Sequence, residues 1–522
     1  MPLSAEGEER VPQRSDGRVS KLGGCVSLLC LSVTHPRGTS CATLSALKRK
    51  EGAKYLQEAY YASFTIKLAH SKKLSDFRSC RHLRPNAMTT TEQIYQHYQQ
   101  NPVISTDTRK ITPGCIFFAL KGDKFDANTF APQAVEQGAA FAIIDNAQYR
   151  VSEQFILVDD VLETLQDVAR LHRKHLDIPV IGLTGTNGKT TTKELINAVL
   201  SQRFNTLATQ GNLNNHIGVP LTILGINNTH EMAVIEMGAN HQREIELLCS
   251  IAQPSHGLIT NVGRAHLEGF GGVEGVKIGK GEMYDHLQNH NGVAFINSND
   301  ATLMEMQAKR DIKNIIYFGD REDALISGKL IANAPFLSLS WTNNAEKQSH
   351  EVSSQLTGEY NLDNILIAIS IGTYFNLTPD EVNAGIANYQ PKNNRSQLMT
   401  TATNTLVCDY YNANPSSMAV AIDNISKLAA DKKVLILGDM FELGDDSAAE
   451  HAGVIQKAMD ANVTQRIFIG EAFYQQSELI NADFYRTAQD AIDALKAKPI
   501  RNATVLIKGS RGMALERLVE LM

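Results

Sequence analysis

The chain has 522 residues, 43% hydrophobic and 20% charged, with a formal charge of −6. This is the composition of a soluble globular protein too long for one ordinary core, and about three domains are expected. The acidic balance argues against a nucleic-acid partner, because a general phosphate-binding surface needs a basic excess.

Residues 1–87 stand apart. They carry +8 against −14 for the rest, and they hold Cys25, Cys30, Cys41 and Cys80. "GGCVSLLCLSV", Gly23 to Val33, follows Arg10, Arg14, Arg18 and Lys21 and loosely matches a secretory signal. No clean small-x-small cleavage site follows it, and Glu6, Glu8 and Glu9 count against a transit peptide. The run is too short to span a bilayer, so no stable membrane insertion is expected. The pattern changes abruptly at "NAMTTTEQIY". The expectation is that Met88 is the true start and that residues 1–87 are an unassigned extension outside the fold. Cys115, Cys249 and Cys408 are scattered and form no CxxC pair, which fits a reducing compartment without disulfides or a zinc-thiolate site.

Residues 88–176 read as a small α/β domain. Its strand candidates are "CIFFAL" (Cys115 to Leu120), "AAFAIID" (Ala139 to Asp145) and "QFILV" (Gln154 to Val158), with helical stretches between them. Residues 177–390 continue the alternation. "IPVIGLTGTNGKTTTKELINAVL", Ile178 to Leu200, reads as strand, glycine loop and helix. "MAVIEM" (Met232 to Met237), "GLITNV" (Gly257 to Val262) and "GVAFIN" (Gly292 to Asn297) are further buried strands. This is the grammar of a mostly parallel sheet with helices on both faces, whose ligands gather at the carboxyl ends of the strands. "NYQPKNNRS", Asn388 to Ser396, reads as a linker. In residues 391–522, "LVCDYY", "KVLILGDM", "RIFIGE" and "TVLIKGSR" alternate with helices, giving a Rossmann-like sheet. The fold class is α/β in three domains, the central one built on the glycine loop.

That loop carries the first chemistry. Gly185 and Gly188 let backbone N–H groups face phosphate oxygens, with the positive end of a helix behind them. Lys189 can reach the β- and γ-phosphates, and the Thr190 hydroxyl can bind Mg2+. The usual P-loop has an earlier glycine where this chain has Leu183. The plain alternative is a glycine turn, and Gly-Lys-Thr-Thr at a helix start argues against it. The loop alone gives a nucleotide phosphate and no reaction. Glu236 ends an apolar strand, where P-loop proteins place a second Mg2+ ligand. His266 lies in "TNVGRAHLEGFGGVEGVKIGKGEMY", Thr260 to Tyr284, ahead of Lys277 and Lys280. On spacing alone it is a solvated loop histidine.

"TGTNGKTTTKELI", "GNLNNHIGVPL", "AVIEMGANHQREI", "NVGRAHLEGFG", "KGEMY", "GEYNLDN", "DYYNANPSSM", "LGDMFELG" and "IKGSRGM" run in order from the glycine loop to Met513. Together they resemble the Mur ligases of bacterial cell-wall synthesis, whose loop also lacks the earlier glycine. The resemblance implies a cytoplasmic, ATP- and Mg2+-dependent ligase that forms an amide bond through an acyl phosphate. The "GNLNN", "EMGANH", "AHLEGFG" and "NANP" forms imply UDP-N-acetylmuramoyl-tripeptide and D-alanyl-D-alanine as substrates. The near alternative is the preceding ligase, which adds the third amino acid to the UDP-dipeptide. Its diaminopimelate type has an arginine after the Asn-Pro, absent from "YNANPSS". A P-loop ATPase or switch and a catalytically dead binding protein are the other classes, and a monomer is expected.

By resemblance, Gly185, Thr186, Asn187, Gly188, Lys189, Thr190 and Thr191 hold the ATP phosphates, and Thr190, Glu236, His266 and a carbamylated Lys280 hold metal. Lys277 is the rival of Lys280. Asn361 and Asn364 match the pair at the adenine edge; judged alone they are helix-start residues, with Asn364 on the exposed side. Arg395 matches the arginine that reaches the phosphates, with Asn394 where the family usually has glycine, and Asp409 matches the ribose contact, preceded by Cys408 where many relatives have a second acid. Ser105, Asp107, Thr108 and Arg109 match the entry to a UDP-binding module, although Arg109 is equally a structural partner for Asp107. The module's "FDGH" stretch reads "FDAN" here, Phe125 to Asn128. Asn214, Asn412 and Asn414 fall on the substrate side. Lys508 and Arg511 look anion-seeking, with a surface role as the alternative.

Overall fold

The computed structural model describes residues 91–333, 336–392, 394–477 and 482–522. Met88, the extension before it and its four cysteines lie outside the described residues.

The first sheet is parallel throughout, in the order β1 (Ile104–Ser105), β2 (Ile116–Phe118), β5 (Phe141–Ile144), β6 (Phe155–Leu157). A two-stranded ladder of β3 (Lys121–Gly122) and β4 (Phe125–Asp126) stands beside it. Its helices Thr91–Gln100 and Val161–Lys174 are joined to the next layer by satisfied buried polar groups. Tyr98 Oη donates to Leu224 O at 2.6 Å, His172 Nε2 lies 2.8 Å from Ile226 O, and Arg173 Nε donates to Ala252 O at 3.0 Å. Apolar side chains from both layers form one continuous core around them.

The second sheet holds the glycine loop. Its strands are β7 (Val180–Thr184), β8 (Thr206–Ala208), β9 (Met232–Glu236), β10 (His256–Ile259), β11 (Val293–Asn297), β12 (Asn314–Phe318), β13 (Ile326–Asn333), β14 (Leu337–Asn343) and β15 (Gln348–Ser353). They lie in the order β15-β14-β13-β12-β11-β10-β7-β9-β8. β7 sits between β10 and β9, where the chain changes direction across the sheet, and such a switch point opens a crevice at the strand ends. The antiparallel edge β13–β15 was not anticipated from the sequence. β14 alternates, with Leu337, Leu339 and Trp341 inward and Ser338 and Ser340 half-buried between them.

The third sheet runs β16 (Gln397–Thr400), β17 (Thr405–Asp409), β21 (Thr504–Lys508), β18 (Lys433–Gly438), β19 (Gln465–Ile469), β20 (Asp483–Tyr485). Only β16 is antiparallel to its neighbour. The α/β class with mostly parallel sheets, expected from the apolar runs, holds, and every strand candidate named above falls on a strand. Cys115, Cys249 and Cys408 are buried free thiols. Among the described residues, no helix is long and apolar enough to cross a membrane.

Candidate active site

The carboxyl ends of β7, β9 and β10 and the facing ends of β17 and β21 enclose one cavity of about 980 Å³. That is ample for a nucleotide and part of a second substrate.

Leu183 is fully buried within β7, so a glycine there would lie inside the strand, before the turn begins. The turn itself needs its glycines. Gly185 has φ +144° and a Cβ there would lie 2.0 Å from Thr260 Oγ1. Gly188 has φ +78° and a Cβ would meet Asn364 Oδ1 at 2.7 Å. Neighbouring strand ends fix the rest of the loop. Asn187 N–H donates to Asn261 Oδ1 at 3.0 Å, and Thr260 Oγ1 donates to Asn187 O at 2.6 Å. Lys189, at the first turn of the helix Lys189–Leu200, bonds back to Gly185 O at 2.7 Å and Thr186 O at 3.0 Å. Burial pulls its amine down to about 8, against the pull of the Glu236 charge. Thr186, Asn187, Gly188, Lys189 and Thr191 line the cavity.

Glu236 is 1% exposed at the end of β9. Its Oε1 accepts from Thr190 Oγ1 at 3.2 Å and from Asn214 Nδ2 at 2.9 Å, while its Oε2 is buried with no partner. A buried carboxylate oxygen without a donor is costly unless a cation meets it. Among the described residues, no group of three or more His, Cys, Asp or Glu side chains could hold a metal. A cation at Glu236 would therefore complete its shell with the Thr190 hydroxyl and ligand oxygens, a hard donor set that suits Mg2+.

Lys280, 2% exposed on the helix Val273–Asn289, is not among the residues that line the cavity. Its Nζ donates to Ala239 O at 3.0 Å and sits 5.0 Å from the Phe270 ring centre. Burial, reinforced by the Lys189 charge, holds its amine well below the ordinary lysine value. Lys277 instead forms surface ion pairs with Glu305 at 3.4 Å and Glu274 at 3.5 Å. His266 lines the cavity and pairs with Glu442 of the facing sheet. That partner keeps the Glu442 carboxyl below the usual range.

Asn364 departs from the expectation of an exposed helix start. It is 6% exposed, covered by the helix Lys189–Leu200, and accepts from Thr192 Oγ1 at 3.0 Å while donating to Asn361 Oδ1 at 2.9 Å. Asn361 in turn donates to Thr357 O at 2.8 Å. Both line the cavity.

From the third sheet, Arg395 stacks on Tyr411, its guanidinium carbon 3.9 Å from the ring centre. Asn394 before it has φ +52°, so asparagine adopts the left-handed turn that a glycine would favour. Asp409 and Lys508 are register partners at the ends of β17 and β21, and Lys508 Nζ donates to Asp409 Oδ2 at 2.7 Å and to Asn412 O at 3.1 Å. Lys508 is 2% exposed, which removes the surface role weighed for it. Arg511 remains exposed, over the Tyr411 ring. Cys408 points to the opposite face of β17, against Met399 Sδ at 3.6 Å, so that position belongs to the core.

Asn414 caps the helix Pro415–Lys427 through its Oδ1, which accepts from Ser417 N–H at 2.9 Å, and turns its Nδ2 to the loop. Its Nδ2 donates to Asn187 Oδ1 at 2.9 Å, Asn187 Nδ2 donates to Ser416 Oγ at 2.8 Å, and Ser416 Oγ donates to Asn414 Oδ1 at 2.9 Å. Sequence reasoning missed Ser416, Asn261 and Glu442. The Ser-Ser after Asn-Pro was a capping signal, whereas nothing local marks the other two.

The first-sheet residues lie outside this cavity. Ser105, Asp107, Thr108 and Arg109 form one turn, in which Asp107 caps the short helix Thr108–Lys110 and holds the Arg109 guanidinium at 2.8 and 2.9 Å. Asn128 is fully buried and ties Asp126 to Asp145, a structural placement.

Three family models match the chain in order. They are the Mur ligase family catalytic domain over residues 102–173, the Mur ligase middle domain over 183–372, and the Mur ligase glutamate ligase domain over 394–511. The UDP-N-acetylmuramoyl-tripeptide–D-alanyl-D-alanine ligase of Escherichia coli (strain K12) is 35% identical over 425 residues, covering 80% of this chain and 93% of the relative. A crystal structure of MurF from Acinetobacter baumannii superposes with a TM-score of 0.73 at 29% identity, covering 82% of this chain and 97% of that one. MurF ligase from Thermotoga maritima in complex with ADP gives a TM-score of 0.70 at 25% identity, covering 81% and 97%.

Proposed function

The chain belongs to the Mur ligase family, and from that premise we propose that it joins D-alanyl-D-alanine to the terminal carboxylate of UDP-N-acetylmuramoyl-tripeptide with ATP, releasing ADP and phosphate. The observation that carries this reading is the single cavity in which a phosphate loop, a half-satisfied buried carboxylate and an arginine from the facing sheet meet. Its reaction passes the γ-phosphoryl group to the peptide carboxylate, and the amine of the dipeptide then displaces phosphate from the acyl phosphate.

The difficulty is bringing anions together, so the work falls to cations and fixed dipoles. The Gly185–Thr191 backbone and Lys189 bind the phosphates, with the helix N-terminus behind them. Arg395, held over the Tyr411 ring, approaches from the side of the third sheet. Asn361 and Asn364 fit an adenine edge, and Asp409, oriented by Lys508, fits the ribose. Thr190 and Glu236 would hold the first Mg2+, and His266 would hold a second metal ion, joined by Lys280 once CO₂ has converted its amine to a carbamate. Bound there, Mg2+ would neutralise charge as the two anions approach. The depressed basicity of Lys280 supports its conversion, because the neutral amine is the form that adds CO₂. An ammonium has no lone pair for a metal.

Residues 88–176 would bind the UDP moiety, residues 177–390 ATP, and residues 391–522 would bring Arg395 and the dipeptide side, with Asn214, Asn412 and Asn414 around the acceptor. On this reading the protein acts as a monomer in the cytoplasm, in peptidoglycan precursor synthesis. The test is substrate dependence. Phosphate release should require both UDP-N-acetylmuramoyl-tripeptide and D-alanyl-D-alanine. Equal turnover with a free amino acid and the UDP-dipeptide would move the enzyme to the preceding step.

A further inference from the structure

The stretch Leu437–Gly444, "LGDMFELG", carries the chain out of β18, and buried side chains hold its backbone. Asp439, 5% exposed just after β18, accepts from Ala472 N–H at 3.0 Å and Phe473 N–H at 3.1 Å. Met440 N–H donates to Nε2 of the fully buried His451 at 3.1 Å, and Phe441 N–H donates to Ser510 Oγ at 3.1 Å. The next residue, Glu442, has φ +62°. Facing it from the second sheet is His266, with φ +52°. Two non-glycine residues in the left-handed region, in contact with each other, are over-determined by their surroundings, and such backbone clusters where geometry matters to function.

The Glu442 carboxylate meets His266 at Nδ1, as an ion-pair contact without the alignment of a full hydrogen bond. One further ion pair holds the two segments together: Arg264 pairs with Glu450 at 2.9 Å. Gly444 lies so close to Glu268 that a Cβ there would be 3.2 Å from its side chain.

We propose that Glu442 is a positioning residue for His266. Its carboxylate takes the Nδ1 side of the ring, fixes the ring's orientation and tautomer, and leaves Nε2 for a metal. A carboxylate behind a ligating histidine raises the ligand's basicity in this way. Because Glu442 belongs to the third sheet and His266 to the second, the ring is fixed only while those two loops are docked. The "LGDMFELG" stretch therefore links loop docking to the metal site. This inference rests on the metal role proposed for His266.

The test uses Mn2+ as a paramagnetic probe of the Mg2+ site. Binding is followed by electron paramagnetic resonance on the full chain saturated with a non-hydrolysable ATP analogue. Glu442→Gln should weaken Mn2+ binding by about tenfold or more, and raise the Mg2+ concentration needed for activity, with the KM for ATP and the melting temperature unchanged. His266→Ala is the comparison. If His266→Ala weakens Mn2+ binding and Glu442→Gln does not, the positioning role is overturned and the metal role of His266 stands. If neither variant weakens it, both are overturned.

Discussion

The turn at Ser105–Lys110 and the loop at Gly185–Thr190 look alike in sequence: each is a short polar segment after a strand, with a basic residue near its end. Structurally they are opposites. In the first, the polar groups satisfy one another, as Asp107 takes both the Arg109 side chain and backbone within two residues. In the second, the bonds reach far along the chain. Asn187 meets Asn261, Asn414 and Ser416, and Thr190 meets Glu236. A polar turn that closes on itself needs no ligand to be stable. A loop fixed by two other strand ends and the start of a helix, next to a half-satisfied carboxylate, is shaped for something else.

The largest expected effect lies in the loop. Lys189→Ala should lower kcat on the order of a thousandfold, about 4 kcal/mol of transition-state stabilisation, with the fold intact by circular dichroism. A loss below about tenfold would reduce the loop to a binding element.

Lys280→Ala should follow, with a loss of roughly a hundredfold, partly restored by acetate or another short carboxylate. Lys277→Ala, on the surface, should stay near wild type. Full activity of Lys280→Ala without added carboxylate would end the carbamate assignment.

The Asn187, Asn414 and Ser416 ring tests whether docking of the third sheet matters to the loop. Asn187→Ala and Asn414→Ala should each cost about tenfold in kcat/KM, about 1.4 kcal/mol. The double variant should lose little more than either alone, since both break one network. Full additivity would mean that the two asparagines act separately, with Asn414 serving the acceptor directly.

The smallest effect belongs to the self-contained turn. Arg109→Ala should raise the KM for the UDP substrate by less than threefold, the scale of an exposed pair. A tenfold rise would break the comparison and make the turn part of the binding surface.

The strands of all three sheets were legible where they are continuous apolar runs, as in "VIGLT" and "VLILG", because such runs leave no other way to be buried. β12, "NIIYF", was not named although it is such a run. β13–β15 were missed because polar residues break up their apolar positions, and Trp341 in the alternating β14 marks an inward face only when the pairing is known. The phosphate loop was legible because its chemistry is contiguous: glycines, lysine and threonine act through local backbone. Asn364 was misjudged because its burial comes from a helix distant in sequence, and its bond to Thr192 spans 172 residues. Glu442 was quoted within a motif and given no role, because its partner His266 lies on another sheet. The family resemblance supplied roles for Lys280, Arg395 and Asp409 that spacing alone could not.

The most direct test of the central claim follows the peptide carboxylate oxygen. UDP-N-acetylmuramoyl-tripeptide labelled with heavy oxygen at its terminal carboxylate is turned over with ATP, Mg2+ and D-alanyl-D-alanine, and the products are analysed by mass spectrometry. An acyl phosphate predicts ADP, the pentapeptide product, and one labelled oxygen in each phosphate released. Unlabelled phosphate, or release of AMP and pyrophosphate, would contradict it.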